Sequence, residues 1–134
     1  INNGKPAEAL PVAQSLDEYY IDEPTTRMNL GDVYFKLAEL AGNKDEKSKQ
    51  ADEARKIYLW IEKNSPNTPE GRRVHYDAVI KQAECYVLKG NLESAATKLK
   101  NSLEYDPIKL PRGYEERMLK LIDTYTEAGK SGGK

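Results

Sequence analysis

Proline and glycine divide this chain into long segments in which apolar residues recur every three or four positions. That spacing is the helical period, and the alternation that marks a half-buried strand is nearly absent. Segments of this kind bury their apolar stripes by laying helix against helix. The expected fold is therefore all-α. A length of 134 residues fits a single domain, 1–134. Such a chain buries roughly two thirds of its unfolded surface and needs no disulfide.

Six helices are expected. The first covers about 6–20, with Ala9, Val12, Leu16 and Tyr19 or Tyr20 on one face. Pro11 costs about 3 kcal/mol in a helix interior, so the start lies either near residue 6 or near Pro11 itself. The second covers about 24–42, with Pro24 in its first turn and Leu30, Val33, Tyr34, Leu37 and Leu40 as its stripe. The third covers about 45–64, carries Ala54, Ile57, Tyr58 and Ile61, and ends at "NSPNT". The fourth opens with Thr68 as N-cap, Pro69 at the first helical position and Glu70 behind it, and runs to about 89 through Val79, Ala83, Tyr86 and Val87. The fifth covers about 92–105. The sixth covers about 113–128, with Met118, Leu121, Ile122 and Tyr125. The tail 130–134, "KSGGK", reads as flexible. Short connections make sequential helices antiparallel.

The breakers themselves repeat. From Gly90, Ala95 follows by five positions, Leu99 by nine and Pro107 by seventeen, with Ala83 and Tyr86 just before it. This pattern over 76–107 resembles the tetratricopeptide repeat, apart from Gln82, where a leucine is usual. Leu30-Gly31-Asp32-Val33-Tyr34, followed by Ala54, Tyr58 and Pro66, repeats it over 24–66. That copy has 11 extra residues at its hairpin tip, around "GNKDEKSKQ", which are expected to lengthen both helices. Gly4 and Ala9 give a partial copy over 4–21; Met118, Leu121, Tyr125 and Gly129 give another over 113–129. The resemblance implies antiparallel hairpins stacked as a right-handed array. Small residues at Gly31, Ala54, Ala83 and Ala95 let helix axes approach to about 8–10 Å.

The resemblance also implies a concave face, lined by the first helix of each hairpin, that binds a partner peptide. By position this face comprises Met28, Asp32, Phe35 and Lys36, then Asp77, Ile80, Glu84, Val87 and Leu88, then Leu119, Asp123 and Thr126. Such a groove is acidic and apolar, with Lys36 its only cation. It lacks the Lys/Asn/Arg set with which some members clamp a C-terminal carboxylate. The expected role is a non-catalytic scaffold whose partner is a basic-apolar segment or a neighbouring domain. Residues 19–40 carry a second, local resemblance, through Ile21-Asp22-Glu23, Thr26-Arg27-Met28, Phe35 and Leu37-Ala38. They resemble the soluble C-terminal portion of a family of bacterial multi-spanning membrane proteins, glycosyltransferase-like or of unknown function. That implies an appendage of a membrane-bound enzyme. A third expectation is self-association through apolar helix faces left open at the two ends of the array.

The remaining composition narrows the chemistry. With 21 basic and 22 acidic residues, nothing steers the chain toward nucleic acid or an anionic membrane. No apolar run approaches the roughly 20 residues of a membrane span. The chain begins at Ile1 and reads as a mature form or a piece of a longer protein, so its compartment stays open. Cys85 and His75 lie ten residues apart on one expected helix. About 15 Å of rise separates them, too far for a dyad. Cys85 reads as a small core residue. One histidine and one cysteine do not build a zinc site, and no phosphate-loop, nucleophile-elbow or zinc-protease motif occurs. No metal, cofactor or catalytic activity is expected.

Arg72, Arg73 and His75 form a small basic knot, either a binding contact or, as expected first, a cluster whose partners are Glu70 or Asp77 and solvent. Nine tyrosines stand against one phenylalanine. Tyr34, Tyr58, Tyr86 and Tyr125 fall at repeat core positions. Tyr19, Tyr20, Tyr76, Tyr105 and Tyr114 do not, which leaves hairpin-end packing or an interface for them.

Overall fold

The computed structural model describes residues 24–132, and there the chain is all-helical. Five helices follow one another: α1 (Pro24–Leu40), α2 (Lys44–Asn64), α3 (Pro69–Leu88), α4 (Leu92–Tyr105) and α5 (Tyr114–Gly132). The helix expected over 6–20 lies outside the described residues. Each helix packs on the next, and α1 also meets α3. Links of three or four residues join α1 through α4 and make those neighbours antiparallel. No helix among the described residues is long and apolar enough to cross a membrane.

The helices begin where side chains can take their free first-turn amides. Asn43 Oδ1 accepts from the Glu46 N–H at 2.8 Å, Thr68 Oγ1 from Gly71 at 3.0 Å, and Asn91 Oδ1 from Ser94 at 3.1 Å. Each such cap is worth about 1 kcal/mol. Asn43 sits inside the hairpin-tip insertion, so residues 44–50 all enter α2, which reaches 21 residues. α1, by contrast, stops at Leu40. Gly90 ends α3 with φ 79°, and the Asn91 N–H closes back on the Tyr86 carbonyl at 2.8 Å. Only glycine takes that conformation without strain. α5 continues to Gly132, so residues 130–132 are helix rather than flexible tail. A helical glycine such as Gly129 costs about 1 kcal/mol against alanine, which weakens a helix without stopping it.

Three apolar clusters form among the described residues; a small one joins Leu30 and Val33 of α1 to Ile57 of α2, and two larger ones meet on α3. One of these two joins Tyr76, Val79, Ile80 and Ala83 of α3 to Ala95, Ala96 and Leu99 of α4 and Met118, Ile122 and Tyr125 of α5. The other joins Ala38 of α1, Ala51, Ala54, Tyr58 and Ile61 of α2, and Ala78 and Cys85 of α3. α3 is thus buried on two sides. Ile80, expected on the concave face, is 1% exposed and belongs to the α3–α4–α5 cluster. The small residues work as close-approach points: Ala54, Ala83 and Ala95 are fully buried, and a Cβ on Gly31 would stand 2.8 Å from the Tyr58 ring.

The tightest such point is Gly71, in the first turn of α3. A Cβ there would lie 1.9 Å from the Pro66 carbonyl oxygen, a backbone atom that cannot swing aside. Gly71→Ala is therefore expected to destabilise the domain by about 3 kcal/mol, measured as a lower midpoint of urea unfolding. Gly42→Ala, where a Cβ meets nothing within 4 Å, is the control and should unfold near the wild-type midpoint.

Candidate interaction groove

Asp32, Phe35, Lys36 and Glu39 share one face of α1 through their three-to-four-residue spacing. Lys81, Glu84, Val87 and Leu88 do the same on α3. Because α1 and α3 touch across the turn of α2, these faces meet, and with Tyr125 of α5 they line a groove of about 620 Å³. Six residues placed there by repeat position are thereby brought together: Asp32, Phe35, Lys36, Glu84, Val87 and Leu88.

The others go elsewhere. Met28 packs half-buried against the α2–α3 cluster. Asp77 accepts from the Tyr114 hydroxyl at 2.8 Å and lies 3.7 Å from Arg117. Leu119 and Asp123 are exposed outside the groove, and Thr126 borders a separate concavity beside Gly90 and Leu92. The expectation that Lys36 is the only cation also fails, because Lys81 of α3 points into the same space.

The groove's charges are paired loosely. Lys36 lies 3.3 Å from Glu39, and Lys81 lies 3.4 Å from Glu84. The Lys81 ammonium also stands 4.0 Å from the centre of the Phe35 ring. Such half-exposed pairs are worth roughly 0–1 kcal/mol, so an arriving group can displace them at little cost. Asp32 is held from beneath: the buried Tyr58 hydroxyl donates to its Oδ1 at 2.5 Å. Burial, then the charge and hydrogen bond of Asp32, push the Tyr58 phenol far above the ordinary tyrosine range. The three carboxylates Asp32, Glu39 and Glu84 against two ammonium groups leave the groove with a net charge of −1. Cys85 lies behind the groove wall, fully buried, with its thiol pushed up to about 12 by that burial. It is a core residue, placed where a thiolate does not form.

A second cluster lies at the other end of α3. His75 does not join Arg72 and Arg73 but turns inward, 7% exposed. Its Nδ1 is 2.8 Å from the Glu62 carbonyl oxygen and its Nε2 is 2.6 Å from Asp106 Oδ2. The Glu62 side chain accepts from both Gln82 Nε2 and Lys98 Nζ, each at 2.8 Å. The Ile108 N–H donates to Asp106 Oδ1 at 2.9 Å. Arg72 reaches Asn67 rather than Glu70. The cluster draws on α2, α3, α4 and the loop after it, across 13 and 31 positions of sequence, so no spacing motif announces it. The one local signal is Gln82: a buried amide at a position where the repeat takes leucine needs a polar partner, and Glu62 is that partner.

Tyr76 and Tyr114 serve hairpin-end packing. The Tyr76 hydroxyl donates to the Ile108 carbonyl, and its ring meets those of His75 and Tyr114 at 4.7 and 6.4 Å. The outward face of α5 carries Glu115, Glu116, Lys120, Asp123 and Glu127, all exposed, with Leu119 the large apolar residue among them. The open apolar face expected at this end of the array is thus a charged one. Comparison with protein-family models, with curated proteins and with solved structures finds no match for this chain.

Proposed function

We propose that this domain is a non-catalytic interaction module of tetratricopeptide-like arrangement, which takes a basic-apolar peptide segment or a neighbouring domain in the α1–α3–α5 groove. The observation that carries this reading is the convergence of six residues, chosen by repeat position, on one groove lined by three alternate helices. Phe35, Val87 and Leu88 offer apolar area there, and the excess of carboxylates favours a cationic partner. The two loose ion pairs let that partner's charges replace Lys36 and Lys81 against Glu39 and Glu84.

A displayed peptide library selected on the immobilised chain tests this, followed by calorimetry of the enriched peptides. The expected winners interleave Lys or Arg with apolar residues. Glu84→Lys should weaken them at least tenfold, about 1.4 kcal/mol, and leave the thermal midpoint in place. The proposal fails if no sequence enriches, or if affinities are indifferent to both Glu84→Lys and Phe35→Ala. Turnover of a substrate by the purified domain would defeat its non-catalytic half.

A further inference from the structure

We propose that Glu62, His75 and Asp106 form a binding site for a divalent transition metal such as Zn²⁺, which both imidazole and carboxylate ligate. One donor atom from each residue lies within 4.8 Å of the other two. The orientation of His75 carries the proposal. Its Nδ1 faces a backbone carbonyl, which can only accept, so Nδ1 bears a proton. Its Nε2 then aims at a carboxylate oxygen 2.6 Å away. Nε2 and Oδ2 thus face one another as two potential ligand atoms, with the Glu62 carboxylate beside them. A histidine that gives Nδ1–H to a backbone carbonyl and turns Nε2 outward is also the usual posture of a metal ligand.

Both carboxylates are oriented in the same manner. Asp106 Oδ1 is held by the Ile108 N–H, while Oδ2 faces His75 and accepts a longer bond from the Ser102 hydroxyl at 3.4 Å. Glu62 Oε1 is held by Gln82 and Lys98, and this carboxylate offers one oxygen to the cluster. Three oriented donors with a fourth position for water are the pattern of an open zinc site. A surface concavity of about 510 Å³, bordered by His75, Ser102 and Asp106, gives the ion its way in. Two donors of a tetrahedral zinc ion stand about 3.4 Å apart, so Nε2 and Oδ2 must separate by somewhat under 1 Å. Asp106 is the C-cap of α4, where the chain leaves the helix, and is placed to yield that distance. Lys98, 2.8 Å from Glu62 Oε1, opposes a metal cation at the site and lowers its affinity.

The test uses the full, tag-free chain stripped with a chelator and titrated at neutral pH with Zn²⁺ by calorimetry, and with Co²⁺ as an absorbing stand-in. One ion per chain with a Kd of about 1 µM is expected, and Co²⁺ bands of a four- or five-coordinate site. His75→Gln should weaken uptake at least about 100-fold, and Glu62→Gln, at the rim, about tenfold with an unchanged circular dichroism spectrum. Lys98→Met should tighten it, a gain that no purely structural role of the cluster produces. No uptake by the intact chain at about 100 µM Zn²⁺ would overturn the proposal, as would uptake indifferent to both His75→Gln and Glu62→Gln.

Discussion

Raising the pH to about 11 is expected to remove about 5 kcal/mol of folding stability, enough to unfold a domain of ordinary stability. The cause is a set of buried acids that the fold holds in their neutral form. Burial pushes the Cys85 thiol from 9.0 to about 12 and the Tyr76 phenol from 10.0 to about 12, and drives Tyr58 higher still. Each pKa is higher in the folded chain than in the unfolded one, so the folded chain holds more protons between the two values. The stability these groups contribute is fully present below the unfolded values of 9.0 and 10.0 and is lost as pH rises toward the folded ones. Each group removes about 1.4 kcal/mol per pH unit inside its own window. Tyr114 and Tyr125 are shifted in the same direction, by burial first, and add to the slope. The helical circular dichroism should therefore be lost in one cooperative step, accompanied by a step in phenolate absorbance from the buried tyrosines. A helical signal that persists at pH 12 while phenolate absorbance climbs gradually would refute this.

The second large effect belongs to Tyr58. Its ring is fully buried between α1 and α2, against Gly31, and its hydroxyl donates to Asp32. Tyr58→Ala should cost about 4 kcal/mol, because it removes a fully buried ring and leaves a cavity beside Gly31. Tyr58→Phe keeps the ring and removes the hydrogen bond, so it should cost only about 1 kcal/mol. Thermal unfolding of the two variants separates the contributions. Equal losses would mean that the hydroxyl, rather than the packing, holds α1 in place. Because α1 carries half of the groove, Tyr58→Ala should also weaken any groove ligand, although Tyr58 lines no part of it.

The residues that sequence reasoning read well are those whose partners lie within one turn. Thr68 with Pro69, and Gly90 with Ala95 five positions on, act locally, and the helices begin and end accordingly. Ile80 was misplaced because repeat position specifies a face only to within about one residue, and a helix buried on two sides has little free face left. Lys81 was missed for the same reason: its one-residue offset from Ile80 places it in the groove. The His75 cluster was illegible for a different reason. Glu62 and Asp106 reach it through the packing of α2 and α4 on α3, and nothing in either residue's neighbourhood marks it as a partner of a distant imidazole. The polar face of α5 was readable in its run of charges but was outweighed by the expectation of an incomplete repeat.

The double burial of α3 has a consequence for cooperativity. In a linear array whose units touch only at their borders, the ends can melt while the middle stands. Here the two larger clusters use opposite sides of the same helix, so loosening either one strips cover from the element that organises the other. Five helices joined in this way behave as one thermodynamic unit rather than as two and a half hairpins in series. A ligand in the groove bridges α1 and α3. It would then raise the melting temperature of the whole domain by mass action, including the α4–α5 half that forms little of its binding surface.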